Sequence, residues 1–371
     1  MEKKISVIFG DGIGPEVTKQ AIKVLDAIAR VYNHRFRYTY LSMGAEAIAK
    51  TGDPLPEATI EACLAADATL VGAVGHPRFD NNPLTTVRPE QGLLRLRKAM
   101  GLYANIRPVK SYTSLAHLSA LKPAQLEGVD IMIIRELTGG IYFGQKTLSD
   151  DGNRATDECI YNREEIERVA HLAFQYAKQR RGKLTMIDKA NVLETSRLWR
   201  KTVQEIATQY REVMVDYMFV DNAATKLILQ PRQFDVVLIE NMFGDILSAE
   251  ASVFGGSIGM LPSAAIGEGH ALFEPIHGAY PQAAGKDIAN PLGAILSAAM
   301  LLDHFNLKDE AGKVRLAVEW TIHNGFVTKD IDPVNFYFTT TIGDMIADLI
   351  VDKSPSELHE DNIQLRKSTI I

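Results

Sequence analysis

Short apolar segments alternate with longer segments of helical period along most of this 371-residue chain. Strands are predicted at Lys4–Gly10, Phe36–Leu41, Ala68–Val74, Asp130–Ile134, Leu184–Ile187 and Phe234–Ile239. The first helix is predicted over Val17–Arg30, where apolar residues recur on one helical face. This alternation is typical of an α/β fold with a mostly parallel sheet, in which ligands bind where strand ends meet helix starts.

The composition narrows the range of functions. With 46% hydrophobic and 23% charged residues, the chain resembles an ordinary globular protein. A net charge of -6 and the lack of a long basic tract argue against nucleic acid or an anionic membrane as partner. No apolar run reaches the roughly 18 residues of a membrane span, and the N-terminus lacks a secretory pattern. Cys63 and Cys159 match no metal or redox spacing, so a cytoplasmic location is predicted.

A glycine-rich loop, Gly10-Asp-Gly12-Ile-Gly14, follows the first predicted strand and opens the first predicted helix. Its spacing is G-x-G-x-G, whereas Rossmann proteins use G-x-G-x-x-G. The next predicted strand also lacks the acidic residue that binds ribose in those proteins. The loop is therefore either a structural turn or a nucleotide contact, and it does not predict an ordinary Rossmann fold.

A helix is predicted over Pro89–Arg97, with proline at its first position. Glu90, Leu93, Leu94 and Arg97 have the spacing i, i+3, i+4 and i+7, so they share one helical face. This face belongs either to an ordinary amphipathic helix with a solvated arginine or to a carboxylate-binding site with an apolar wall.

Charged residues follow two of the predicted strands. Arg135 and Glu136 follow Asp130–Ile134, and they form either an internal ion pair or part of a ligand site. Lys189 follows Leu184–Ile187 and is either a surface lysine or a base whose pKa is lowered by its surroundings.

Two aspartates, Asp221 and Asp245, stand near predicted helix starts. Each is either an N-cap or an oxygen ligand for Mg²⁺ or Mn²⁺. A further stretch, 273–291, is rich in small residues and contains the pair His277 and Gly278, which suits close approach to a flat or phosphorylated ligand.

Together these motifs resemble the β-decarboxylating dehydrogenases, the family of isopropylmalate, isocitrate, homoisocitrate and tartrate or D-malate dehydrogenases. The resemblance runs from about residue 4 to about residue 350, through the motifs Gly10–Val17, Arg88–Arg97, Arg135–Gly144, Asp188–Leu193, Asn241–Ser248 and Glu274–Pro291. It implies a two-domain α/β fold that is not a Rossmann fold. The first domain would comprise 1–102 and 257–371 on the cofactor side, and 351–371 is predicted to be a polar tail outside it. The second domain, 103–256, would carry metal and catalytic residues and form the dimer interface.

The resemblance also implies metal-dependent oxidative decarboxylation of a 2-hydroxy dicarboxylate with NAD as the oxidant. Arg97, Arg107 and Arg135 would bind carboxylates, because the guanidinium fork matches that geometry. Tyr142 would donate a proton, and Lys189 with Asp221 would accept one. Asp221 and Asp245 would hold Mg²⁺ or Mn²⁺.

Further contacts follow from the same resemblance. Lys189, Asn191, Val192 and Asp221 would act in the site of a partner subunit, which implies a homodimer with shared active sites. Cofactor contacts are implied for Ile13, Glu274, His277, Gly278, Gln282 and Asn290.

Substrate choice is predicted from the 90–97 helix. Isopropylmalate members carry Glu-x-x-Leu-Leu-x-x-Arg, which here is Glu90, Leu93, Leu94 and Arg97. The leucines would receive the isopropyl group of 3-isopropylmalate, as in leucine biosynthesis, and Glu90 would sit near the nicotinamide. Burying a third carboxylate against two leucines would cost several kcal/mol. The alternatives are a D-malate, tartrate or other alkylmalate substrate, and a non-catalytic homologue.

Two positions depart from the family pattern. The metal helix normally reads Gly-Asp-x-x-Ser-Asp, but Ala249 follows Ser248 here, and Glu250 lies about 100° further round the helix. The change is either tolerated or the mark of a metal-impaired homologue. Gln282 stands where NAD-linked members have aspartate, and with Ala283 after it no cation is present for a 2′-phosphate, which favours NAD over NADP.

Overall fold

A large sheet and the helices on its two faces form the part of the chain that the computed structural model describes, residues 1–80, 86–354 and 356–358. Its strands are β1 (Glu2–Gly10), β2 (Arg35–Leu41), β3 (Ala68–Ala73), β4 (Leu102–Lys110), β5 (Asp130–Glu136), β6 (Lys146–Leu148), β7 (Ala155–Asp157), β8 (Lys183–Asp188), β9 (Met214–Phe219), β10 (Val236–Ile239), β11 (Pro262–Gly267) and β12 (Ala271–Pro275).

The α-helices are α1 (Gly14–Tyr32), α2 (Ala45–Thr51), α3 (Glu57–Leu64), α4 (Pro77–Asp80), α5 (Pro89–Ala99), α6 (Pro123–Leu126), α7 (Arg163–Gln179), α8 (Glu194–Ala207), α9 (Val220–Leu229), α10 (Asn241–Ala251), α11 (Leu292–His304), α12 (Lys308–His323) and α13 (Thr339–Asp352). Short 3-10 turns lie at Thr113–Leu115, Pro231–Gln233, Ser252–Gly255, Ile258–Met260 and Pro281–Ala283.

Ten strands form one sheet in the order β2-β1-β3-β12-β11-β4-β5-β10-β8-β9, and β6 pairs with β7 in a separate ribbon. Neighbouring strands are parallel in both outer parts of the sheet. The antiparallel pairs join β12, β11, β4 and β5 in the middle. This arrangement confirms the predicted α/β class with a mostly parallel sheet.

All six predicted strands are present, and the predicted helix 17–30 lies within α1. The helix predicted from Pro89 is α5, which continues to Ala99. Of the strands in this sheet, β4, β9, β11 and β12 were not predicted, and three of these, β4, β11 and β12, lie in its antiparallel middle; β6 and β7 were not predicted either.

The strands from the two predicted domain segments occupy separate halves of the sheet. β4, β5, β10, β8 and β9 lie side by side, and β4 begins one residue before the predicted boundary at 103. The other half is formed by β2, β1, β3, β12 and β11. The division into two domains stays a prediction.

Strand register places several polar side chains on one face of the sheet, here named the front face. Asn105 of β4 lies opposite Arg135 of β5, and Arg107 follows two residues later on the same side. The register continues through β11 to β12, where Glu274 lies on the same face. The opposite face is named the back face.

Helices cover each face only at its sides. On the front face, apolar residues of α3 and α5 pack on the first half of the sheet, and α9 and α10 pack on the second. On the back face, α1, α11, α12 and α13 cover the first half, and α7 and α8 cover the second. The central strands therefore lie beneath a gap between helices on both faces.

The predicted polar tail packs more closely than expected. Val351 and Asp352 end α13, and the side chain of Leu358 is fully buried in the core formed with α1 and α11 to α13. The prediction is wrong at Leu358, and 355 and 359–371 lie outside the described residues. Among the described helices, none is both long and apolar enough to span a membrane.

Candidate active site

Two arginines emerge from the central strands into the gap on the front face. The side chains of Arg107 and Arg135 are only 6% and 3% exposed, and both contact the carboxylate of Asp245 on α10. Nη1 of Arg107 lies 3.2 Å from Oδ1 of Asp245, and Nη1 of Arg135 donates to the same oxygen. One carboxylate thus partly offsets two buried positive charges.

The charged groups Arg107 and Asp245 remain ionised at neutral pH. Burial, reinforced by repulsion from Arg135, lowers the pKa of Arg107 to about 9, although Asp245 opposes the shift. Burial alone would raise the pKa of Asp245, but the charges of Arg135 and Arg107 outweigh burial and lower it. The cluster is therefore suited to binding an additional anion.

A second layer of side chains orients the two arginines. Nε and Nη2 of Arg135 both donate to Oδ1 of Asn241, at 3.1 and 2.8 Å. Nε of Arg107 donates to Asn105, and its Nη1 donates to Ser248. These positioning residues were not predicted, although Asn241 and Ser248 lie within a motif quoted above.

A glycine lets α10 lie close to Arg135. A Cβ atom at Gly244 would approach Cγ of Arg135 to 2.8 Å and a side-chain carbon of Ile239 to 2.9 Å. The helix could not keep this position with a larger residue there.

A third arginine lies across the gap on α5. Arg97 is buried, so the alternative of a solvated arginine is wrong. Its Nη2 donates to Oε1 of Glu274 on β12 at 2.6 Å, and its buried Nε has no partner in the described structure. An orphaned donor in a buried cationic site is a candidate contact for a ligand anion. The Glu274 side chain accepts this hydrogen bond, and its contact with a cofactor stays a prediction.

The predicted face of α5 is present. Glu90 is exposed, Leu93 and Leu94 are partly buried, and Arg97 is buried. Leu93 packs against the core beneath the helix. A Cβ atom at Gly75 would lie 2.8 Å from Oε1 of Glu90, so this carboxylate rests against the loop after β3. The helix thus presents an acid, two leucines and an arginine in the predicted order.

Tyr142 lies beside the arginine cluster. Its hydroxyl donates to Oδ2 of Asp245 at 3.3 Å, and the guanidinium of Arg135 lies 5.7 Å from its ring centroid. Burial and the charge of Asp245 raise the pKa of Tyr142, and Arg135 only partly opposes them. The phenol therefore keeps its proton at neutral pH and can act as a proton donor.

The turn before Tyr142 is fixed by a carboxylate. Glu136 accepts hydrogen bonds from the backbone N–H groups of Thr138 and Gly139, at 2.6 and 2.9 Å. Because Glu136 serves this turn and Arg135 contacts Asp245, the alternative of an internal Arg135–Glu136 ion pair is wrong.

A separate pair lies at the ends of β8 and β9. Nζ of Lys189 donates to Oδ1 of Asp221 at 2.7 Å, and this hydrogen bond lowers the pKa of the aspartate. The side chain of Asp221 is 68% exposed, and Asn191 and Val192 are exposed nearby in sequence. Within the described ranges, no hydrogen bond or ion pair joins this pair to the cluster around Asp245. The Lys189–Asp221 pair is therefore separate from the hydrogen-bond network around Asp245.

Neither aspartate is an N-cap. Glu240 caps α10 by accepting from the N–H of Phe243, and Asp245 lies a full turn inside the helix. Asp221 is the second residue of α9, and its N-cap position is Phe219. The capping alternative is wrong for both, which leaves their carboxylates open to other roles.

The donor set for a divalent metal is small. Among the described residues, no three His, Cys, Asp or Glu side chains cluster closely enough to hold a metal. Ala249 is exposed one helical turn after Asp245, where it offers no ligand atom. Burial raises the pKa of Glu250. Mg²⁺ needs only one or two carboxylates, since water and substrate complete its shell, so Asp245 fits as a partial ligand set.

The glycine-rich loop is a structural turn. The buried carboxylate of Asp11 accepts from the N–H groups of Ala45 and Gly75, both at 3.0 Å from Oδ2. The N–H of Ile13 donates to the carbonyl of Ala279 at 2.8 Å, and the Ile13 side chain is buried. The loop therefore braces the segment after β12, and a cofactor contact at Ile13 stays a prediction.

The segment after β12 holds the other predicted cofactor residues. His277 is buried, burial lowers its pKa, and its Nε2 has no partner within the described chain. Asn290 accepts from the N–H of Leu292 at 3.0 Å and donates to Asp330 at 3.1 Å. Gln282 is exposed, and a Cβ atom at Gly278 would meet nothing within 4 Å. His277 is thus a neutral ring with a free nitrogen, whereas Asn290 serves the fold.

The fold and the site define an α/β protein with a cationic site, suited to a small anion, between two halves of one sheet. Three buried arginines and a protonated tyrosine converge there, which suits a carboxylate substrate and proton transfer.

Comparisons with known proteins give the family. Residues 4–346 match the model for "Isocitrate/isopropylmalate dehydrogenase". A Bacteroides fragilis 3-isopropylmalate dehydrogenase is 51% identical over 352 residues, which are 94% of this chain and 99% of the relative. A Bacillus subtilis 3-isopropylmalate dehydrogenase is 51% identical over 337 residues, 89% of this chain and 92% of the relative. The chain belongs to the isocitrate/isopropylmalate dehydrogenase family.

Solved structures agree with this assignment. The isocitrate dehydrogenase of Methylococcus capsulatus superposes with a TM-score of 0.86 at 32% identity, over 94% of this chain and 100% of that chain. A β-decarboxylating dehydrogenase from Thermococcus kodakarensis gives 0.76 at 38% identity, over 94% and 96%. The predicted family and its fold are confirmed.

Proposed function

We propose that this protein oxidises and decarboxylates 3-isopropylmalate to 4-methyl-2-oxopentanoate, with NAD as the hydride acceptor, in leucine biosynthesis. The observation that carries the proposal is the face of α5, where Leu93 and Leu94 lie one turn from the buried Arg97. The two relatives named 3-isopropylmalate dehydrogenase, each 51% identical in sequence, support the proposal.

The arginines would hold the two carboxylates of the malate core. The side chains of Arg107 and Arg135 are already held by their amide and hydroxyl partners, so substrate binding costs them little conformational entropy. Arg97 offers an unpaired Nε from the opposite side of the gap. The isopropyl group would then lie against the leucines, where burying its three carbons contributes about 2 kcal/mol.

Two groups would handle protons. Tyr142, protonated at neutral pH, would donate to the carbon that loses CO₂. The Lys189–Asp221 pair would accept the proton of the substrate hydroxyl as hydride leaves C2. A second copy of the chain would supply this pair, as the family resemblance implies, and the pair makes no described hydrogen bond to the arginine cluster of its own chain.

The cofactor and metal would add the remaining chemistry. NAD accepts the hydride, and a divalent metal withdraws electron density from the substrate oxygens. Asp245 would hold the metal together with Asp221 of a second copy. His277 and Gln282 would contact NAD, and Ile13, Glu274, Gly278 and Asn290 stay predicted contacts nearby. The small-molecule dicarboxylate is the proposed partner besides the homodimer, and a cytoplasmic location stays a prediction.

A second candidate is favoured by Ala249. With one carboxylate fewer on α10, the protein would be a metal-impaired homologue that binds dicarboxylates without turnover. A D-malate, tartrate or other alkylmalate enzyme is the remaining alternative, because a leucine-lined pocket rejects a smaller group by only about 1–3 kcal/mol.

The test is NADH formation from NAD with 3-isopropylmalate, D-malate, tartrate and isocitrate, each with and without Mn²⁺. The proposal expects metal-dependent turnover with kcat/KM about 30-fold higher for 3-isopropylmalate than for D-malate, since the isopropyl group contributes about 2 kcal/mol. Higher kcat/KM on D-malate or tartrate would contradict the substrate assignment. Dicarboxylate binding by calorimetry without any turnover would favour the impaired homologue.

A further inference from the structure

A cavity of about 560 Å³ lies directly behind the arginine cluster, on the back face of the central strands. Its floor includes Ile106, Ala264 and Phe273, which are sequence neighbours of the front-face residues Arg107, Ser263 and Glu274. One wall is α7 and the other is formed by α11 and α12. The cavity therefore fills the gap that the helices leave on the back face, and its size is that of a small-molecule site.

The walls combine apolar side chains with unpaired polar groups. Met132, Leu172 and Met300 line the cavity and are only partly buried because they face it. Tyr112 and Tyr176 also line it, and neither hydroxyl has a hydrogen-bond partner in the described part of the chain. Burial raises the pKa of both tyrosines, and the charges of Glu319 near Tyr112 and Asp303 near Tyr176 raise it further, so both remain donors. Unpaired hydroxyls beside an apolar surface are suited to a ligand with one polar end.

Charged residues stand at the rim. Lys110 pairs with Glu319 across the central gap, and Asp303 pairs with Arg315 and, at 3.4 Å, with Lys308. Burial and the charge of Lys3 lower the pKa of His304, so this ring adds no charge at neutral pH. Three cations against two carboxylates leave a formal charge of +1 at the rim.

We propose that this cavity binds a small monocarboxylate with an apolar body. The body would lie on the apolar floor against Met132 and Met300, and the carboxylate would accept hydrogen bonds from the tyrosine hydroxyls and balance the remaining positive charge of the rim. Met side chains adapt readily to different shapes, so the site fits a class of aliphatic or aryl acids rather than one compound. The site uses no residue of the proposed reaction and does not depend on it.

Isothermal titration calorimetry with 4-phenylbutyrate tests the proposal, and 4-phenylbutanol is the uncharged comparison. The purified full-length protein is expected to bind the acid at one site per chain, about tenfold more tightly than the alcohol, as a charged hydrogen-bonded end contributes about 1.5 kcal/mol. No binding of the acid, or equal affinity for both compounds, would overturn the proposal.

Variants separate this cavity from the arginine cluster, which could also attract an acid. Met300→Trp fills the cavity and is expected to abolish binding, and Lys110→Gln is expected to weaken it about tenfold. Lys19→Gln, at an exposed lysine of α1 outside the cavity, is the matched control and should bind as the parent does. Should Met300→Trp unfold, Lys110→Gln and Tyr112→Phe carry the test. Unchanged affinity in a folded cavity variant would place the ligand elsewhere and refute the assignment.

Discussion

Replacing Glu274 by glutamine would leave the guanidinium of Arg97 buried without a counter-charge. Their side chains are 8% and 11% exposed and their closest atoms are 2.6 Å apart, so water cannot take the place of the carboxylate. Breaking a buried pair from one side costs about 3–5 kcal/mol, and the glutamine carbonyl keeps one hydrogen bond. We therefore expect Glu274→Gln to lower the free energy of unfolding by about 3 kcal/mol, or the Tm by about 4 °C for a chain of this length.

Urea unfolding of Glu274→Gln, Arg97→Met and the double variant measures the coupling. The double variant should lose about 2 kcal/mol less than the sum of the single losses, because it buries no lone charge. Glu268→Gln, at an exposed glutamate between β11 and β12, should change stability by less than about 0.5 kcal/mol. A dicarboxylate such as D-malate should stabilise Glu274→Gln more than the parent, since it restores a negative charge beside Arg97. Additive losses, or a Glu274→Gln variant as stable as the parent, would refute this account of the pair.

Three other changes probe the site. Inactive Tyr142→Phe and Lys189→Met chains, mixed and reassociated, should recover about a quarter of the parent turnover, because half of the dimers are mixed and each holds one intact site. No recovery, with mixed dimers present, would contradict shared sites. Ala249→Asp should raise Mn²⁺ affinity about tenfold by electron paramagnetic resonance, since it adds a carboxylate one turn from the existing ligand. Gly244→Ala should push Arg135 aside and raise KM for the dicarboxylate more than it lowers kcat; an unchanged KM would show that the helix can move.

Much of the fold could be predicted because parallel strands and their helices carry strong local patterns. Val236–Ile239, for example, is a continuous apolar run, as buried strands often are. β11 is short and consists largely of small residues, and β12 has only five residues and ends in Glu274 and Pro275, so their patterns are weak. Their place between β3 and β4 depends on contacts between distant parts of the chain, which local periodicity does not report.

Some residues of the site could likewise be predicted from the sequence, and others could not. A ligand-binding role could be predicted for Arg135 because a charged residue rarely follows an apolar strand without a partner. The same role could be predicted for Arg97 because it shares a helical face with two leucines. Asn105 and Ser248 gave no such signal. Their roles arise only when β4 and α10 meet over Arg107, and that meeting is set by sheet register and helix packing.

Charge balance connects the arginines with the missing aspartate. Arg97, Arg107 and Arg135 face two carboxylates, Glu274 and Asp245, which leaves a formal charge of +1. A malate-type dianion would exceed that charge by one, and it would compete with Asp245 for the same guanidinium groups. A divalent cation beside Asp245 would satisfy its carboxylate and release both arginines, so metal and substrate should each strengthen the binding of the other. With alanine rather than aspartate at position 249, the site has one negative charge fewer. The alanine therefore weakens the metal while favouring the dianion, and Ala249→Asp should weaken metal-free binding of D-malate even as Mn²⁺ affinity rises.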